Sequence, residues 1–325
     1  MNMKSKGNAL LKGMKAQPVL PFFLCCVLVI VLIKPNFLTI GNIRSILVDA
    51  SIYGVSALAM TIAIICGEFD LSLASNFAWG QILFCYLLNA WGQSGFGVLC
   101  ALLVMVATCT MIGVINGLIV VFGKISAFIT TLGMMTIVQG IALVFTDGKM
   151  IATTNESVAD FSKFSIFGFS GITYVFLLVA ALMFFTMGHT KFGRNIYATG
   201  GNYLAAQLSG IKVRFHKFIV FVILGFCAGI SAALFVSLMR AGSVLYGTDL
   251  ALTSVAATVI GGTALSGGKG SVLRTVFGVI LIFVLYRALA FLGLQGYYNT
   301  LFKGLMLLVI VIVDAYILLV GKKRR

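Results

Sequence analysis

Gly188-His-Thr-Lys-Phe-Gly-Arg-Asn-Ile-Tyr-Ala-Thr-Gly-Gly-Asn-Tyr-Leu-Ala-Ala-Gln-Leu-Ser-Gly-Ile-Lys-Val-Arg-Phe-His-Lys217 is a basic, glycine-punctuated island between apolar runs too long for a soluble core. A chain that keeps such a loop inside an otherwise apolar sequence holds it at a membrane face, where a soluble partner can reach it. The rest of the reading works outward from that island.

Hydrophobic residues make up 61% of the 325 and charged residues only 10%, against roughly 25% charged in soluble domains. This composition specifies an integral membrane protein. No polar stretch reaches the ~50 residues of a small soluble domain, so one transmembrane domain, 1–325, is expected. The net charge of +15 would point to nucleic acid in a soluble protein. Here the basic residues sit in short loops and tails beside apolar runs, the placement that orients helices in a bilayer, and no nucleic-acid partner is expected. The seven cysteines (25, 26, 66, 85, 100, 109, 227) lack paired metal-site spacing and read as small hydrophobes. Lys34-Pro35-Asn36 is no small-residue cleavage site, so the first apolar run reads as a retained helix.

Runs of about 20 apolar residues, enough for a ~30 Å hydrocarbon core, lie near 18–34, 45–66, 72–91, 97–122, 127–146, 171–188, 217–239, 250–266, 272–294 and 299–320. The expected fold is therefore all-α and polytopic, with about ten transmembrane helices. The connection Gly67-Glu68-Phe69-Asp70 is so tight that it is expected within the membrane, buried in protein. With both termini in the cytoplasm, the inside loops and tails hold sixteen of the 23 basic residues, which satisfies the positive-inside rule. Lys34, Arg44, Lys149, Lys163 and Arg240 fall outside. The outer loop from Asp147 to Ser170 is mildly acidic and faces either a soluble extracytoplasmic partner or simply solvent. Glycine pairs at 200–201, 261–262 and 267–268 read as helix packing or as irregular backbone beside a cavity. Leu58 to Ser72 and Leu252 to Ser266 form a faint internal echo of the kind duplicated transporters carry, within what chance allows.

Catalytic and metal-binding constellations are missing. His189 and His216 flank the island without a carboxylate or serine partner, and Gly267-Gly-Lys-Gly-Ser271 has the wrong spacing for a phosphate-cradling loop. The chain is thus read as a transport subunit, not an enzyme, whose energy source lies elsewhere. Intramembrane charges are functional candidates by default: Asp49, Arg287, Lys303 and Asp314, with Glu68 and Asp70 at the break. Asp49 reads as a helix cap, and Arg287 and Lys303 as snorkelling side chains. Only Asp314 suits mid-depth ion coupling. A small polar solute would instead meet hydroxyls, amides and aromatic faces, which Asp70, Ser72, Asn76, Phe128, Thr131 and Gln139 supply. Trp79, Gln81, Asn116, Thr130 and Thr136 are of the same type.

Four ordered segments, Gly67-Glu-Phe-Asp-Leu-Ser72, Phe128-Ile-Thr-Thr-Leu-Gly133, Phe192 to Asn202 with Ala205 to Ile211, and Val259 to Gly270, resemble the permease subunits of ABC-type monosaccharide importers. That family takes in ribose, xylose, galactose and autoinducer permeases and is distantly related to branched-chain amino-acid permeases. The resemblance runs from about residue 40 to 318. It implies a type II ABC importer-like permease in the bacterial cytoplasmic membrane, paired with a second permease copy and surrounded by lipid. A cytoplasmic ATP-binding subunit would carry the ATP and Mg, an extracytoplasmic solute-binding protein would deliver the solute, and no cofactor would bind this chain. In that picture the island is the ATPase-coupling loop. Gly193, Arg194, Gly201, Asn202, Ala205, Ala206, Leu208, Gly210 and Ile211 carry it, with Ala205, Ala206, Leu208 and Ile211 as a small apolar face and Gly201 and Gly210 as helix ends.

The sequence also departs from the family pattern. Glu68 stands where glycine is usual, Gln139 where a basic residue is frequent, and Ala251 and Thr253 where acidic residues often precede the Ala-Ala pair. These changes leave the solute open to an amino acid or nucleoside. A secondary carrier or channel, dependent on Asp314 or Asp70, is the other class of reading.

Overall fold

The structure is a computed structural model that describes residues 34–91 and 94–293, with isolated positions as far as 308. After a 3-10 turn at Pro35–Leu38, α1 spans Ile40–Cys66, α2 Leu73–Ala90, α3 Gly95–Gly117 and α4 Ala127–Thr146. The short α5 (Glu156–Lys163) precedes α6 (Gly171–His189), α7 (Lys191–Gly201) and α8 (Tyr203–Leu208). Then come α9 (Val213–Met239), α10 (Leu250–Ile260) and α11 (Val272–Phe291). The structure is mostly helical rather than wholly so, since two antiparallel pairs of two-residue strands depart from the all-α expectation: β1 (Ile151–Ala152) with β4 (Ala241–Gly242), and β2 (Ser165–Ile166) with β3 (Phe169–Ser170).

Among the described residues six helices are long and apolar enough to cross a membrane: α1, α3 with its continuation to Phe122, α4, α6, α9 and α11. These match six of the expected spans. The third expected span is α2, a largely buried helix outside that six. The eighth is shorter than expected, because α10 stops at Ile260 and Gly262 turns left-handed at φ 81°. Span 18–34 apart from Lys34, and span 299–320 apart from isolated positions as far as 308, lie outside the described residues, as do Lys303, Asp314, Cys25 and Cys26.

Helix α1 is the axis around which the others pack. It ends at Gly67, whose φ of 83° lets its N–H reach Ile64 O while Glu68 N reaches Ala63 O. A glycine in this conformation closes the helix without Cβ strain. Hydroxyls join α1 to its neighbours alongside buried apolar side chains such as Ile52, Leu58 and Met60: Ser56 to Ser231 of α9 at 2.8 Å, and Thr61 to Thr258 of α10 at 3.1 Å and Thr275 of α11 at 2.8 Å. Small residues let α3 and α9 approach closely, with Gly113 against Gly225 and Gly229 against Val106, as membrane helix pairs require. At its C-terminal end α3 loosens into a π-helical stretch, Leu118–Phe122, directly after Gly117. Such bulges recur at functional sites.

Two sequence readings of intramembrane charge are corrected. Asp49 lies well inside α1 rather than capping it. Arg287 does not snorkel: its Nε donates to Asn42 Oδ1 at 2.9 Å, tying α11 to the start of α1, because a half-buried guanidinium at a helix contact gains from an acceptor in the protein. Cys66, Cys85, Cys109 and Cys227 are buried and free, as small hydrophobes should be.

Candidate functional site

Three of the four motif segments meet at one end of α1. The Ile65 carbonyl accepts from Gly268 N at 2.8 Å, and a Cβ on Gly200 would fall onto that same oxygen. Gly268 (φ 71°) stacks against Gly201, and the Tyr197 hydroxyl donates to Gly270 O at 3.1 Å. Burial raises the Tyr197 phenol above its ordinary range, and the charge of Arg274 opposes that rise. Gly200 and Gly201 of one segment and Gly267 and Gly268 of the other are therefore backbone-on-backbone contacts, where any side chain would hold the segments apart.

The break between α1 and α2 lies beside this junction and is buried in protein, as its tightness implied: Glu68 is 8% and Asp70 2% exposed. Asp70 Oδ1 accepts from Ser72 N at 2.8 Å and from Ser72 Oγ at 2.6 Å, and its Oδ2 accepts from Asn116 Nδ2 at 3.2 Å. Asn116 Nδ2 also donates to Ser72 Oγ at 2.8 Å, and Leu71 N donates to Thr131 Oγ1 at 3.1 Å. Asp70, Ser72 and Thr131 are thus drawn into one knot joining the break to α3 and α4. Asn76 sits one turn further along α2 and donates to Cys109 O at 3.0 Å. The other two candidates lie apart. Phe128 and Gln139 are exposed on α4, and Phe128 touches the break only through Phe69, ring centroids 6.2 Å apart. Gln81 is fully buried with no hydrogen-bond partner among the described residues.

The island folds as α7 and α8. Thr190 caps α7 by accepting from Gly193 N, and Gly193 is buried against the Met187 backbone. Asn202 breaks the chain at φ −158° and caps α8 by accepting from Ala205 N at 3.0 Å. Gly201 closes α7 in ordinary backbone, whereas Gly210 ends α8 left-handed at φ 80°. Arg194 projects outward. The expected apolar face divides. Ala206 is buried against the bundle and Ile211 half-buried, while Ala205 is exposed and Leu208 is 89% exposed. Leu204, 68% exposed, joins Leu208 across one turn and was missed, because its neighbours Ala205 and Ala206 looked like the more apolar pair.

One connection had no signal in the sequence. Lys217, at the base of α9, donates to Glu68 and lies 5.5 Å from the Tyr203 ring centroid. Tyr203 opens α8 and Glu68 lies in the break, so a cation links the exposed helix to the buried knot across 149 residues of sequence. Such a contact is invisible until the chain is folded. Among the described residues no group of three metal-ligating side chains gathers.

A family model described as branched-chain amino acid transport system / permease component matches residues 42–311. The ribose import permease protein of Haemophilus influenzae is 34% identical over 293 residues, 89% of this chain and 90% of that protein. The ribose import permease protein of Bacillus subtilis is 32% identical, covering 92% of each chain. The D-allose transport system permease protein of Escherichia coli is 32% identical over 91% of each. No solved structure matches. With its motifs assembled at one junction and relatives aligned along nearly its whole length, the chain belongs to the permease components of the branched-chain amino acid transport system family.

Proposed function

We propose that this chain is the membrane permease subunit of an ATP-driven importer for a monosaccharide, as a single domain of about ten spans in a bacterial cytoplasmic membrane with both termini inside. The sugar follows from the relatives, whose names specify ribose and allose. ATP and Mg would reside in a cytoplasmic ATP-binding subunit, and an extracytoplasmic binding protein would deliver the sugar to the other face. A second permease copy would complete the path. The α4 face bearing Gly133 and Gly140, neither of which has any atom near its would-be Cβ, supports close approach of that copy.

The observation that carries the reading is the exposed pair Leu204 and Leu208 on a six-residue helix fixed at both ends. Leucines at this exposure suit a groove in the ATPase, and the exposed Arg194 and Lys212 of the same island suit its carbonyls and acids. Movement of α8 would act through Tyr203 and Lys217 on Glu68, and so on the break that holds Asp70 and Thr131. Rigid elements moved about such a link exchange inward- and outward-open states. An ion-coupled carrier is less well supported, since the Asp70 carboxylate is already held by three donor hydrogens.

Leu208→Asp tests the proposal. The variant should insert at the normal level, because its side chain touches nothing buried, and lose roughly tenfold or more of sugar uptake in cells supplying the ATPase and binding protein. Undiminished ATP-coupled uptake by this variant would remove α8 as the docking element.

A further inference from the structure

The opposite end of α1 carries a site with no part in coupling. A cavity of about 240 Å³ opens between the first turns of α1, the end of α5, the β2–β3 turn and the start of α6. Arg44 lines it, and no ion pair or side-chain hydrogen bond engages its guanidinium among the described residues. The turn at Phe167-Gly168 holds that guanidinium in place. Gly168 has φ 82°, and a Cβ there would meet Arg44 Nη2 and Cζ. Deeper in, Thr173 is 5% exposed, and its hydroxyl has no hydrogen-bond partner among the described residues. Ser162, Lys163, Ser165 and Ser170 complete the polar wall, but Lys163 is matched by Asp160 at 3.3 Å, and the Ser162 and Ser170 hydroxyls donate to backbone carbonyls. One positive charge is therefore uncompensated, beside an orphan donor.

Apolar side chains line and neighbour the cavity in sequence. Val48 and Phe169, the latter 41% exposed, line it, and on the same elements Phe167 is 94% exposed, Phe164 55% and Ile40, one turn before Arg44 on the same face of α1, 69%. Aromatic and aliphatic side chains around a single arginine at the end of a membrane helix are the signature of a bilayer interface. With 27 residues, α1 is about 40 Å long, so its two ends reach opposite headgroup regions.

We propose that this cavity binds the phosphodiester of a membrane phospholipid. Its single negative charge would meet Arg44, a phosphate oxygen would accept from Thr173, and the glycerol and chains would lie against Ile40, Phe164 and Phe167. An oxyanion satisfies a guanidinium fork better than any neutral ligand. These apolar side chains favour the lipid over free phosphate.

The test is native mass spectrometry of the purified full chain in detergent with dioctanoyl phosphatidylglycerol, with inorganic phosphate as a competing arm. Arg44→Ala should weaken the tightest lipid adduct by about tenfold and Thr173→Val by about fivefold, while Lys149→Ala, a basic change elsewhere in the same outer loop, should leave it unchanged. Equal adducts in wild type and Arg44→Ala would overturn the proposal, as would full displacement of the lipid by equimolar phosphate. Unchanged adducts in Arg44→Ala together with lost capture of an acidic soluble protein would overturn it in favour of a protein partner. Because the adduct is read on the isolated chain, this result is independent of whether α8 docks an ATPase.

Discussion

Helix α1 buries 83% of its most apolar window, whereas α3, more apolar at a mean hydropathy of 2.7 against 1.8, buries only 22% of its own. In water that order would reverse, because apolar side chains leave solvent for the core. In a bilayer the lipid tails solvate leucine and valine as well as the protein does, so hydropathy no longer selects the inside. Position is decided instead by what lipid cannot satisfy or replace: hydroxyls that need a partner, and small residues that let backbones touch. Helix α1 carries buried Ser51, Ser56, Thr61 and Gly54, and α9, 67% buried at the same hydropathy of 2.7 as α3, carries buried Ser231 and Ser237, whereas Thr108 and Thr110 of α3 bond only to their own helix.

The contrast can be broken most strongly at the glycine junction. Gly200→Ala puts a methyl onto the Ile65 carbonyl, and backbone cannot yield as a side chain can. The variant should lose more than about tenfold of uptake, with a destabilisation of about 3 kcal/mol by denaturant unfolding in detergent. Asp70→Ala removes the acceptor for Ser72 and Asn116 in a fully buried knot and should cost about 2 to 3 kcal/mol in the same assay.

A finer probe is Thr61→Val, which keeps shape but strips the hydroxyl shared with Thr258 and Thr275. The expected loss is about 1 kcal/mol. Glu68→Gln leaves Lys217 without its counter-ion, and uptake should fall roughly threefold with insertion unchanged. The charge-swapped pair Glu68→Lys with Lys217→Glu should recover part of that loss. At the opposite extreme, Leu103→Ala, on the exposed face of α3, should shift stability of the detergent-solubilised chain by less than about 0.5 kcal/mol. A loss above 2 kcal/mol there would refute the idea that α3 faces lipid.

The fold class was readable because twenty-residue apolar runs have few physical solutions, and six of them appear where the runs placed them. The tightness of Gly67 to Asp70 gave away its burial, since four residues cannot leave a membrane and return. The eighth span misled because Leu250 to Ser266 carries no charge, and its left-handed glycine stops the helix. Within the site, Asp70, Ser72 and Thr131 were legible as polar residues in apolar surroundings. Their union through Asn116 was not, nor was the split of Ala206 and Leu208 to opposite sides of α8, which depends on how that one helix is rotated.

By itself the sequence determined that this chain is a multi-pass membrane protein and where its long apolar helices run, because both follow from local transfer free energy. Only the tertiary structure decided that Gly200 would meet Ile65 and Gly268, that Lys217 would bridge Tyr203 to Glu68, and which apolar helices face protein rather than lipid. Those outcomes depend on close fit and hydrogen-bond satisfaction between segments far apart in the chain, and hydropathy is blind to both.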